Sequence, residues 1–132
     1  MAARPGVQSA CIELHGNLGA GKTTFARHLL AALGVTGCVK SPTYAIMEPY
    51  ALPAFDAWHF DFYRFNSPQE FEDAGFREVF ASPGLKLLEW PDKAAGLLPE
   101  ADLIVRIEFD DDNDQRHVSF SAQSALGVGL LP

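Results

Sequence analysis

The chain has 132 residues, 48% of them hydrophobic and 20% charged, the proportions of an ordinary globular domain able to bury a core without staples. Its net charge of −7, with only ten Lys and Arg scattered along it, argues against a stand-alone nucleic-acid binder, which gains affinity from a basic face. A protein partner that itself holds nucleic acid remains compatible with this charge.

The first twenty residues lack the charged-then-apolar layout of a signal peptide, and no apolar run reaches membrane-spanning length, so a cytoplasmic protein is expected. Cys11 and Cys38 lie in short apolar contexts without metal-ligand spacing and read as reduced core thiols.

"ACIELHG" (Ala10–Gly16) predicts a strand, followed by a glycine loop and a helix from about Lys22. Phe25, Leu29, Leu30 and Leu33 recur at helical spacing, and Gly34 stops the helix. The loop itself, Gly16-Asn17-Leu18-Gly19-Ala20-Gly21-Lys22-Thr23, fits G-x-x-x-x-G-K-[ST] without a mismatch. Glycines let successive N–H groups curl toward phosphate oxygens, and the following helix adds its N-terminal dipole. Lys22 supplies a point charge for the β and γ oxygens, and Thr23 a hard hydroxyl for Mg²⁺. Its position between a strand and a helix separates it from an incidental Gly-rich turn.

Further on, "SPTY" (Ser41–Tyr44) is either a proline turn or a switch segment whose hydroxyls, Ser41 or Thr43, sense the γ-phosphate or Mg²⁺. "TYAIMEPY" (Thr43–Tyr50) and "FDAWHFDFYRF" (Phe55–Phe65) predict an antiparallel pair joined by "ALPA". A two-residue period places Trp58, Phe60 and Phe62 on one face and His59, Asp61 and Tyr63 on the other. A carboxylate among so many aromatics is costly unless used or paired, so Asp61 is a functional candidate; the alternative is a buried Asp61 paired with Arg64 or a backbone amide. His59 reads equally as a hydrogen-bonded structural histidine.

"SPQEFEDAGF" opens a helix, with Ser67 as N-cap, Pro68 at the first position and Glu70 three residues after the cap. "LKLLEW" (Leu85–Trp90) predicts a buried strand stopped by Pro91, with Glu89 at its carboxyl end, where open α/β sheets place ligands. A rim carboxylate on an edge strand is the competing reading, and Trp90 alone reads as core. "DKAAGLLP" suggests a short helical turn, and "ADLIVRIEF" with "RHVSFSA" a hairpin around the acidic turn "DDDNDQ". No pattern is visible after Gln123, and neither a repeat nor a linker divides the chain. The expectation is one α/β domain of P-loop NTPase fold, with a mixed, mostly parallel sheet flanked by helices and carrying antiparallel hairpins.

Together "GNLGAGKTT", "VKSPTY", "HFDFYR", "E-x-E-D-A-G" (Glu70–Gly75) and "LLEWP" resemble, in order and spacing, the TsaE (YjeE) family. The resemblance runs from about Glu13 to Phe109. It implies a cytoplasmic ATPase of low intrinsic rate in tRNA N6-threonylcarbamoyladenosine (t6A) synthesis, using ATP and Mg²⁺. The implied partners are TsaD, the metalloenzyme that transfers the carbamoyl group, and TsaB. Hydrolysis would reset that complex between turnovers, with tRNA met only through it and no membrane involved.

Carried over by motif, the nucleotide contacts fall on Asn17, Leu18, Gly19, Ala20, Gly21, Lys22, Thr23, Thr24, Ser41, Thr43 and Trp90. Thr23 and Glu89 would ligate Mg²⁺, and Asp61 and Glu89 are the catalytic pair, Asp61 for positioning water. The sequence departs from the family at Asn17, where Asp is usual. It also begins about ten residues before its first strand, without the family's N-terminal helix, which helps cover the nucleotide. The reading is therefore a single domain over residues 1–132 that lacks this helix, with 123–132 a weakly structured tail. Two other classes fit the loop alone: a small-molecule kinase, which would need an arginine-bearing lid absent as a clustered segment here, and a non-hydrolysing nucleotide-dependent adaptor.

Overall fold

A computed structural model describes residues 4, 6–36, 46–67 and 69–132. After a single 3₁₀ turn (Val7–Ser9), β1 (Cys11–His15) leads through the glycine loop into α1 (Lys22–Ala32). Then come β2 (Met47–Ala51), β3 (Asp56–Asp61), α2 (Gln69–Asp73), α3 (Phe76–Ala81), β4 (Leu85–Glu89), β5 (Leu103–Asp110), β6 (Gln115–Ala122) and α4 (Ala125–Leu130). Among the described residues the strands form one sheet in the order β2-β3-β4-β1-β5-β6. The four inner strands run parallel, while β2 and β6 pair antiparallel at the margins.

Burial is most complete at the centre of the sheet, while β5 alternates between buried and exposed residues along its length. Every residue of β4 is buried, with alternate side chains serving opposite faces. Leu85 and Leu87 join Ile12, Leu14 and Leu30 beneath α1. Leu88 joins Phe60, Phe62, Phe71 and Phe76 on the other face. There the rings meet in edge-on and offset pairs, Phe60 lying 5.2 Å from Phe76 and 5.5 Å from Phe62 between centroids. β6, by contrast, is exposed over most of its length and alternates only toward its end.

Register places the carboxyl ends of the inner strands side by side. Leu14 of β1 lies opposite Glu89, and Asp61 of β3 lies opposite Glu89 from the other flank. The central position of β4 removes the edge-strand reading of Glu89, which is buried.

Two expectations change. β3 ends at Asp61 rather than reaching Phe65, because the Asp61 carboxylate accepts the Tyr63 N–H and turns the chain. The tail after Gln123, expected as weakly structured, carries α4 instead. Ser124 caps that helix by accepting the Gly127 N–H and donates its own proton to Asp102. Gly127 lies so close to Asp102 that an added Cβ would sit 1.7 Å from that residue's carbonyl oxygen. Residues Cys38, Ser41 and Thr43 fall outside the described residues, as does the whole "VKSPTY" segment. Cys11 fits the core-thiol expectation: burial pushes its thiol up to about 12. No helix among the described residues is long and apolar enough to cross a membrane.

Candidate functional site

The glycine loop follows β1 at the carboxyl edge of the sheet and is pressed against its neighbour. A Cβ on Gly16 would stand 2.4 Å from the Ile107 carbonyl oxygen, so only glycine lets the backbone pass. The loop closes with the Ala20 N–H donated to the Asn17 carbonyl at 3.0 Å. Gly21, in the left-handed region at φ 112°, precedes α1 without a side-chain cap. The first-turn N–H groups of α1 are thus left for an anion, which the helix dipole favours.

Lys22 is buried, with its Nζ donating to the Gly16 carbonyl at 2.6 Å and standing 3.5 Å from the Trp90 ring centroid. Burial lowers its pKa, against the upward pull of Glu89 and Asp61. Thr23 shares its hydroxyl proton between the two oxygens of Glu89, at 2.9 and 3.0 Å. His59, fully buried, places Nε2 2.6 Å from Glu89 Oε2, while its Nδ1 has no hydrogen-bond partner among the described residues. Asp61 belongs to the same group: burial raises its pKa most, Glu89 raises it further, and the Tyr63 N–H, His59 and Lys22 oppose the rise.

Trp90 links these parts. It takes a left-handed backbone conformation, φ 56° and ψ 50°, rare for a residue with a side chain. This bend between Glu89 and Pro91 brings the indole over Lys22 and within 5.0 Å of the Tyr63 ring, centroid to centroid. Strain of this kind persists where the surroundings hold it in place and clusters at functional sites.

A cleft of about 350 Å³ runs along the loop, and Leu18, Gly19, Gly21, Lys22, Thr23 and Thr24 line it. Asp61, Glu89 and Trp90 close its other wall. Asn17 and Ala20 face a second, wider cleft of about 670 Å³ between the loop and the end of β5. The structure therefore gathers Leu18, Gly19, Gly21, Lys22, Thr23, Thr24, Asp61, Glu89 and Trp90 on one cleft, with Asn17 and Ala20 on its neighbour.

The donor set fits Mg²⁺. Thr23 and Glu89 present hard oxygens within hydrogen-bonding distance of each other. No group of three or more His, Cys, Asp and Glu among the described residues forms a metal cage. A site with few protein oxygens, completed by phosphate and water, is what that ion favours.

Residues that the sequence reading did not assign to nucleotide or ion also reach the cleft. Tyr63, Arg64 and Arg116 line it, and His59 holds Glu89 from beneath. Arg116 is brought there by the hairpin, where it pairs across from Phe109. Only knowledge of which strand lies beside β1 could have placed it.

The parallel sheet and the glycine loop entering α1 define a P-loop fold of the NTPase class. The model of the family "Threonylcarbamoyl adenosine biosynthesis protein TsaE" matches residues 2–118, and the chain belongs to that family. It is 42% identical over 120 residues to the tRNA threonylcarbamoyladenosine biosynthesis protein TsaE of Haemophilus influenzae, covering 91% of this chain and 75% of the relative. With the protein of the same name from Bacillus subtilis it shares 38% identity over 111 residues, covering 84% and 68% of the two chains. The crystal structure of Bacillus subtilis YdiB superposes with a TM-score of 0.72 at 31% identity, covering 89% of this chain and 70% of that one.

Proposed function

We propose that this chain is a Mg²⁺-dependent ATPase serving tRNA t6A modification in the cytoplasm, working with TsaB and TsaD and meeting tRNA only through them. The observation that carries this reading is the convergence of Lys22, Thr23, Glu89 and Asp61 on one cleft at a helix N-terminus. Loop amides and Lys22 hold the triphosphate. Thr23 and Glu89 would hold the ion, whose charge would offset that of the phosphates. Asp61 accepts a hydrogen bond from the attacking water, and the low-dielectric surroundings strengthen each of these contacts. Family membership supports the pathway, and the net charge of −7 supports an indirect encounter with tRNA.

Lys22→Ala is expected to abolish ATP binding. Asp61→Ala should retain much of the binding and lose turnover. Equilibrium titration together with phosphate release separates the two, and unchanged nucleotide affinity in Lys22→Ala contradicts the phosphate-loop assignment. ATP consumption without an added acceptor distinguishes an ATPase from a kinase. Intact binding with no hydrolysis, even in the presence of TsaB and TsaD, favours a nucleotide-dependent adaptor.

A further inference from the structure

We infer that Arg116 is a phosphate-binding residue of this cleft, an arginine delivered by the β5–β6 hairpin to the bound triphosphate. The inference rests on the nucleotide reading above and adds a residue to it. Arg116 sits 96 positions from the loop in sequence, yet its Nε donates to the Ala20 carbonyl at 3.0 Å. It lies so close across the loop that a Cβ on Gly21 would come within 3.4 Å of that Nε. The guanidinium carbon stands 5.2 Å from the Phe109 ring centroid, across the hairpin register.

These two contacts hold the guanidinium beside the loop. One of its five donors is spent on the loop, and the terminal nitrogens make no protein hydrogen bond among the described residues. Arg116 lines the same cleft as Lys22 and Thr23. The other charged side chains of that cleft, Lys22 and Arg64 against Asp61 and Glu89, only balance one another. A triphosphate entering beside two carboxylates needs a further cation, and an arginine presents paired donors matched to phosphate oxygens. Anchoring Nε to the loop preorganises those donors, so little side-chain freedom is lost on binding.

The test is equilibrium titration of the full chain with ATP, ADP, inorganic tripolyphosphate and adenosine, alongside ATP turnover, for the parent, Arg116→Ala, Arg116→Lys and Arg27→Ala. Arg27, exposed on α1 and absent from the cleft, controls for loss of one surface charge. Arg116→Ala is expected to weaken ATP and tripolyphosphate binding by on the order of tenfold or more, as for a charged hydrogen bond. Arg116→Lys should fall between, retaining charge but not the fork, and Arg27→Ala should match the parent. Adenosine binding and melting temperature should not change. ATP affinity and turnover in Arg116→Ala within about twofold of the parent overturn the inference, as does an equal loss for adenosine. A parent that binds neither ATP nor tripolyphosphate overturns the nucleotide reading itself.

Discussion

Glu89 holds two neighbours at once, Thr23 on the loop side and His59 on the sheet side. A carboxylate so held has one orientation, which is how outer-shell partners tune metal ligands. His59→Leu should therefore raise the Mg²⁺ concentration needed for half-maximal turnover by about tenfold or more, while His59→Gln, which keeps a donor, recovers part of the loss. Equal Mg²⁺ dependence in both variants and the parent contradicts this role. Asp61 offers a second test. Its carboxyl is raised by burial above the ordinary 3.8, so between that value and the raised one the native state binds more protons than the unfolded chain. Stability then falls as pH rises through this window, and the cost of the buried charge is fully present above it. Asp61→Asn should melt higher than the parent at neutral pH, with the gain shrinking as pH drops into the window. Calorimetry across pH checks the sign.

At the scale of elements, the reading from sequence succeeds where local signals decide. Leu85, Leu87 and Leu88 before the stop at Pro91 mark a buried strand, and the glycine loop leads into α1 as its motif predicts. It fails where tertiary contacts decide. The two glycines of α4 lower its helix propensity, and the helix forms because Ser124 caps it and Asp102 accepts the Ser124 hydroxyl. Ser124→Ala should cost about 1–2 kcal/mol in urea unfolding, through loss of the cap and its bond. The aromatic layer beneath α2 and α3 contributes far more. Phe60→Ala should cost about 3–5 kcal/mol, since its ring is fully buried and stacks on several others.

The molecule as a whole is arranged so that strand order makes the site. Glu13–Leu29, Asp61 and Glu89 are distant in sequence, and their meeting depends on β4 lying between β3 and β1. The loop, Asp61 and Glu89 were each legible from their motifs as candidates, while Arg116 was not, because the hairpin's place beside β1 has no local signature. On the proposed function, binding would belong to the loop and turnover to the carboxylates across from it. The most direct measurement is Mg²⁺-dependent ATP hydrolysis by the parent and Asp61→Ala, each with and without TsaB and TsaD and each with ATP affinity measured in parallel. The expected result is turnover by the parent, raised by the partners, and bound but unhydrolysed ATP in Asp61→Ala. Equal turnover in the two proteins would contradict the account.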